Sequence, residues 1–197
     1  MTDYFALLAQ PRRPWLNPDE LKQTFHARTL QAHPDVRSAD DSASNSEALF
    51  AEINEAYQVL REPKRRLQHL LDLTGAPRAV QSAAIPPALE DLFPAVAALT
   101  QRADAVIEKA AAATNSLSLS LVKGESVAAL AAIEGMLAQL QNLHEQATAT
   151  LREVDERWCS DPNPELPALQ GLYLQFSYLA RWIAELEERR ARLSGAG

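Results

Sequence analysis

Apolar residues recur at spacings of three and four along most of this chain, the period of an amphipathic helix rather than the alternation of a strand. Near the start, Phe5 and Leu8 mark a short apolar turn, and residues 18–32 read as a helix with Asp19 and Glu20 in its first turn. Phe50, Ile53, Tyr57 and Leu60 stripe a second helix, and Leu67, Leu70, Leu71 and Leu73 a third that Gly75 closes. Three longer patterns follow. One runs through Leu92, Val96, Leu99, Ala103, Val106 and Ala110. The next takes Leu130, Ile133, Leu137, Leu140, His144, Ala147, Leu151, Val154 and Trp158. The last takes Leu169, Leu172, Phe176, Leu179, Ile183, Leu186, Arg190 and Leu193. Seams this long predict helices packed nearly parallel or antiparallel, the second of them roughly 50 Å in length. Short breaks near Gly124 and at 161–167 predict antiparallel neighbours.

Polar and proline positions punctuate these patterns. Pro11, Pro14 and Pro18 break up the first twenty residues, and the run RSADDSASNS (37–46) is too hydrophilic to pack. Ser44 and Glu47 have the spacing of a capping box for the helix that follows. Glu62-Pro63 ends that helix, and Pro77, Pro86 and Pro87 mark a linker. Pro94 belongs in the first turn of its helix or kinks it. Leu117–Leu121 alternates leucine and serine, but is too short for a sheet and reads as helical turn. The expected fold is all-α. A helical hairpin with two short helices fills residues 1–75, a linker 76–87, and an elongated antiparallel three-helix bundle 88–193.

Composition narrows the function classes. A net charge of −7 over 197 residues lacks the basic footprint that nucleic-acid binding needs. The longest purely apolar run, Val127–Ile133, falls short of a membrane span, and no secretory pattern occupies residues 1–13, so neither membrane nor export is expected. Cys159 stands alone, which removes an internal disulfide and cysteine metal sites and suits a reducing cytoplasm. No nucleophile, base and oxyanion set is evident, so neither an enzyme nor a cofactor or metal site is expected.

His33-Pro34-Asp35 stands between the first long helix and the polar run. By itself the tripeptide is an ordinary turn sequence. Its setting is DYFALL (3–8), a helix of about fifteen residues ending at the motif, then INEAYQVL (53–60) with Pro63 and Arg66 beyond it. That arrangement resembles the J domain of the DnaJ family over about 73 residues. LREP (60–63) and RLQHLLDLTG (66–75) further resemble the HscB type, the iron–sulfur co-chaperones, which join a J domain to a three-helix bundle. The ending LQGLYLQFSYLARWIAELEERRARL (169–193) resembles the last helix of that bundle. In that type the first bundle helix presents an acidic, Met- and Leu-containing surface. The matching stretch here, 88–110, is interrupted by proline and rich in alanine.

The resemblance implies a co-chaperone that binds a DnaK-type 70-kDa heat-shock chaperone, stimulates its ATPase, and presents a client or iron–sulfur scaffold through the bundle. His33, Pro34 and Asp35 are its implied contacts. The proline fixes a rigid turn, and Asp35 offers two acceptors to an arginine. The family's basic helix face falls here on Lys22, Gln23, His26, Ala27 and Gln31, so Lys22 and His26 carry what charge there is. Arg37 is an extra contact after the motif. Arg28 occupies a position the family packs with an apolar residue. Either its stem covers the core, or it supplies charge from a rotated face. Lys64, Arg65 and Arg66 read as solvent-facing or paired with Glu62, His144 as a seam histidine, and Trp158, Tyr173, Tyr178 and Trp182 chiefly as packing. A rival from another class is a scaffold or oligomerising bundle with a vestigial J domain.

Overall fold

The computed structural model describes residues 2–32, 43–75, 86–159 and 162–195, with side chains from Ala48 in the second segment. Among the described residues all regular structure is helical: α1 (Tyr4–Leu7), α2 (Pro18–Ala32), α3 (Ala43–Arg61), α4 (Pro63–Thr74), α5 (Leu92–Ala112), α6 (Ser116–Trp158) and α7 (Leu166–Ser194). Of the expected linker only Pro86 and Pro87 are described, and Pro87 opens a short 3-10 turn, Pro87–Leu89. The chain forms two compact units. One joins residues 1–83 to Ala149–Tyr173; the other joins residues 84–148 to Leu174 and beyond.

In the first unit α1 is capped by Asp3, whose carboxylate accepts from the Phe5 and Ala6 N–H groups and from Arg12. Burial would raise its pKa, but those hydrogen bonds together hold it below the ordinary carboxylate range. Phe5, Leu8, Leu21, Ile53, Ala56, Leu60, Leu67 and Leu70 form the core. Phe25 stacks on Tyr57 with centroids 4.2 Å apart. Phe50, expected in this core, is 39% exposed; Ala56 and Val59 fill the inner stripe of α3 instead. Helix α3 begins at Ala43, so Ser44 lies inside its first turn rather than at the cap.

His69 on α4 holds the start of the chain. Its Nε2 accepts the Tyr4 N–H at 3.1 Å, and its ring lies 4.7 Å from Tyr4 and 5.7 Å from Phe5. Only the neutral ring accepts there, and burial pushes the His69 pKa below its usual 6.5, against the pull of Asp3 and Asp72. The unfolded chain therefore binds a proton that the folded chain resists, and stability drops as pH falls through 6.5 toward the lower folded-state pKa. His69→Gln, which keeps an acceptor but does not titrate, is expected to flatten that part of the urea-midpoint profile between pH 7.5 and 5.5. His144, also lowered by burial, contributes in the same direction.

The segment between α1 and α2 carries Pro11 and Pro14 and cannot join a helix, so its backbone polar groups need side-chain partners. They find them on both sides. Arg66, expected at the surface, is 4% exposed and donates to the carbonyls of Pro14 and Leu60, each at 2.7 Å. Asp155, 2% exposed near the end of α6, accepts the Trp15 N–H at 3.1 Å and both Nε and Nη2 of Arg13. Trp158 donates its indole N–H to the Arg12 carbonyl at 3.1 Å, and Arg152 lies over the Trp15 ring at 5.1 Å.

The second unit is a three-helix arrangement. Leu92, Val96, Ala103 and Val106 of α5 share one core with Ala129, Ile133, Leu137 and Leu140 of α6 and Leu179, Trp182, Leu186 and Leu193 of α7. Pro94 sits in the first turn of α5, where its missing N–H costs nothing. The expected break near Gly124 is absent. Helix α6 runs through it, and the chain turns at 113–115, where Asn115 accepts the Ser118 N–H at 2.8 Å. On α7 Phe176 and Trp182 are buried, Trp182 packed edge-on against Phe93 at 4.7 Å, while Arg190 of the expected seam is exposed. His144 is half-buried and meets Phe176 edge-on at 5.0 Å.

Candidate functional site

Helix α2 starts because Asn17 accepts the Asp19 and Glu20 N–H groups while Pro18 needs no donor partner. Two faces follow from the 3.6-residue turn. Leu21, Phe25, Arg28 and Ala32 run along the inner side; Leu21 and Ala32 are buried, Phe25 and Arg28 half-buried. Lys22, His26 and Leu30, four apart, form an exposed outer stripe about 12 Å long.

The structure thus brings Lys22 and His26 onto one outward face and puts Arg28 on the other. Arg28 lines a small cleft with Leu7, Gln31, Ala32, Leu49 and Ile53, beside the packing of α1, α2 and α3. His33, Pro34, Asp35 and Arg37 lie outside the described residues, directly beyond the buried Ala32. Leu30 was not singled out from the sequence. It is 67% exposed, and with Phe50 it leaves two large apolar side chains on the surface of the α2–α3 hairpin. The missed signal was its register: Leu30 follows Lys22 and His26, not Leu21 and Phe25.

A second candidate surface is the outer side of α5. Pro94, Ala95, Ala97 and Ala98 are exposed there, after Glu90 and Asp91, while Phe93 turns inward to Tyr178 and Trp182. Among the described residues no group of three His, Cys, Asp or Glu side chains is placed to hold a metal ion.

Residues 3–69 match the family model of the DnaJ domain, about a third of the chain. The co-chaperone protein HscB homolog of Chromobacterium violaceum is 36% identical over 75 residues, 37% of this chain and 43% of the relative. That of Azoarcus sp. is 33% identical over 82 residues, 41% and 46% of the two chains. The chaperone protein DnaJ of Roseiflexus sp. is 44% identical over 64 residues, 32% of this chain and 16% of that one. The matched region therefore spans less than half the length of each of these relatives. Over nearly the whole chain the fold is that of chaperone HscB from Vibrio cholerae, with a TM-score of 0.52 at 20% identity, covering 98% of this chain and 99% of that one. Human co-chaperone protein HscB gives 0.58 at 16% identity, covering 97% and 81%.

Proposed function

We propose that this chain, a DnaJ-domain protein on the HscB-type helical fold, is a co-chaperone that docks on a DnaK-type 70-kDa heat-shock chaperone and stimulates its ATPase. The observation that carries this reading is the match of residues 3–69 to the DnaJ domain, in which α2 presents Lys22, His26 and Leu30 on one exposed stripe and His33-Pro34-Asp35 follows α2 in sequence. Lys22 and His26 supply the charge of the docking face and Leu30 its apolar element. Asp35 and Arg37 pair with charged groups of the chaperone, and His33 is held in place by Pro34. Arg28, on the inner side, positions α2 against α1 and α3. With so few charges on the docking face, association is expected to depend only shallowly on salt.

The bundle selects the client. The HscB-type fold favours an iron–sulfur scaffold as client, although the exposed side of α5 carries alanine and proline where that type presents acidic, Met and Leu side chains. The chain acts in the cytoplasm and performs no chemistry of its own, since hydrolysis occurs on the chaperone.

Single-turnover ATP hydrolysis by the host's DnaK-type chaperones, with the native chain and with His33→Gln, tests this. Stimulation by the native chain alone is expected, and the paralogue that responds separates a dedicated iron–sulfur chaperone from the general one. No stimulation of any paralogue, with helicity intact by circular dichroism, would overturn the proposal and leave the bundle as the functional part.

A further inference from the structure

Helix α6 carries a second seam. On its exposed side Leu117, Leu121, Gly124, Ala128, Ala131, Gly135 and Ala138 follow one another at alternating four and three, the same spacing by which Ile133, Leu137 and Leu140 are buried on the other side. Leu117 is 71% exposed and Leu121 65%. Leu119, Val122 and Leu130 lie on the bundle side of the helix instead, where they line a shallow cleft with Lys123, Val127 and Leu193 that is separate from the seam. From Ser116 to Asn142 the helix has three charged side chains, Lys123, Glu125 and Glu134, and none lies in the seam.

We infer that this face pairs with the same face of a second copy of the chain, antiparallel and two-fold symmetric. From Leu121 to Ala138 the spacing is symmetric about the midpoint between Ala128 and Ala131, and Leu117 lies beyond it, opposite Asn142 of the second copy. A two-fold contact therefore sets Leu121 against Ala138, Gly124 against Gly135 and Ala128 against Ala131 of the second copy, large on small and glycine on glycine. The small residues let the two axes approach closely. Charge selects the same occupant. Two copies at −7 repel, and this is a face on which they meet without opposing like charges. Glu125, already paired with Lys109 at 2.8 Å, falls beside Ala132 of the second copy, and Glu134 beside its Val127.

By length and composition a stretch of α6 is apolar enough to cross a membrane. Yet its buried side supplies Ala129 and Ile133 to the bundle core, and Lys123 against Glu125 and Glu134 offers anionic headgroups no net attraction. A seam about 32 Å long and one helix wide is at the low end for a specific interface. The dimer is accordingly reversible, with a dissociation constant on the order of 10–100 µM.

Sedimentation velocity of the full chain from about 1 to 300 µM should show the mean mass rising from 21.7 kDa toward twice that value. Leu121→Glu and Gly135→Gln are expected to weaken pairing at least tenfold. A Cβ at Gly135 meets no atom within 4 Å, and glutamine favours helix over glycine, so the Gly135→Gln monomer should melt no lower than the native chain. A native chain that stays monomeric, variants that pair as tightly as it does, or binding through this face to phosphatidylcholine vesicles in place of pairing would each overturn the inference.

Discussion

Replacing Arg13 by alanine is expected to lower the stability of the first unit by about 3 kcal/mol, read as a reduced urea midpoint with an unchanged slope. The substitution removes the cation from a buried carboxylate. Asp155 is 2% exposed and keeps just one direct donor from this segment, the Trp15 N–H. Arg13 is partly exposed, which places the effect at the lower end for a broken buried pair. The double variant Arg13→Ala with Asp155→Ala should recover part of the loss, because it removes the stranded charge as well. If the double variant is as unstable as the two single losses added together, the pair is not coupled and this account of the clamp is wrong.

Arg66→Met should cost about 2–4 kcal/mol although methionine fills most of the volume. The loss comes from the Pro14 and Leu60 carbonyls, each left buried without a donor once the guanidinium is gone. Burial has driven the Arg66 pKa down to about 10, only partly opposed by the field of Asp155, so the cation is kept in place at a desolvation cost. What offsets that cost is two-pronged geometry. Arg66→Lys retains the charge but not the fork, and should be nearly as destabilised as the methionine variant. A lysine variant as stable as the native chain would show that the charge matters and the hydrogen bonds do not.

These two arginines mark the limit of what sequence periodicity conveys. Helical stripes such as Leu21 and Phe25, or Ile133, Leu137 and Leu140, are legible because a buried face repeats at a fixed spacing and each member reports on the others. Arg66 was assigned to the surface because charged residues usually lie there. Its burial depends on a proline-rich segment 52 residues earlier, whose Pro14 carbonyl takes its donor from Arg66. The pairing of Arg13 with Asp155 spans 142 residues and leaves no local trace. Gly124 misled for a different reason. Glycine in a helix costs only about 1 kcal/mol, and the side-chain cap at Asn115 outweighs it as a start signal. On α2 the outward positions of Lys22 and His26 were readable, while Arg28 could have faced the core or the solvent and the structure puts it on the inner side. The exposure of Leu30 follows from the same register, four residues beyond His26, although an apolar side chain there draws no attention by its chemistry.

The first unit also has an order of assembly written into it. Its two chain segments, residues 1–83 and 149–173, are separated by 65 residues that belong to the other unit. During synthesis at roughly 5–20 residues per second, the proline segment waits on the order of ten seconds for Asp155 and Trp158 to be made. Until then Arg12–Trp15 has Arg66 on one side and solvent on the other. A nascent or truncated first unit is therefore a species with an open flank, and the last third of the chain completes the first.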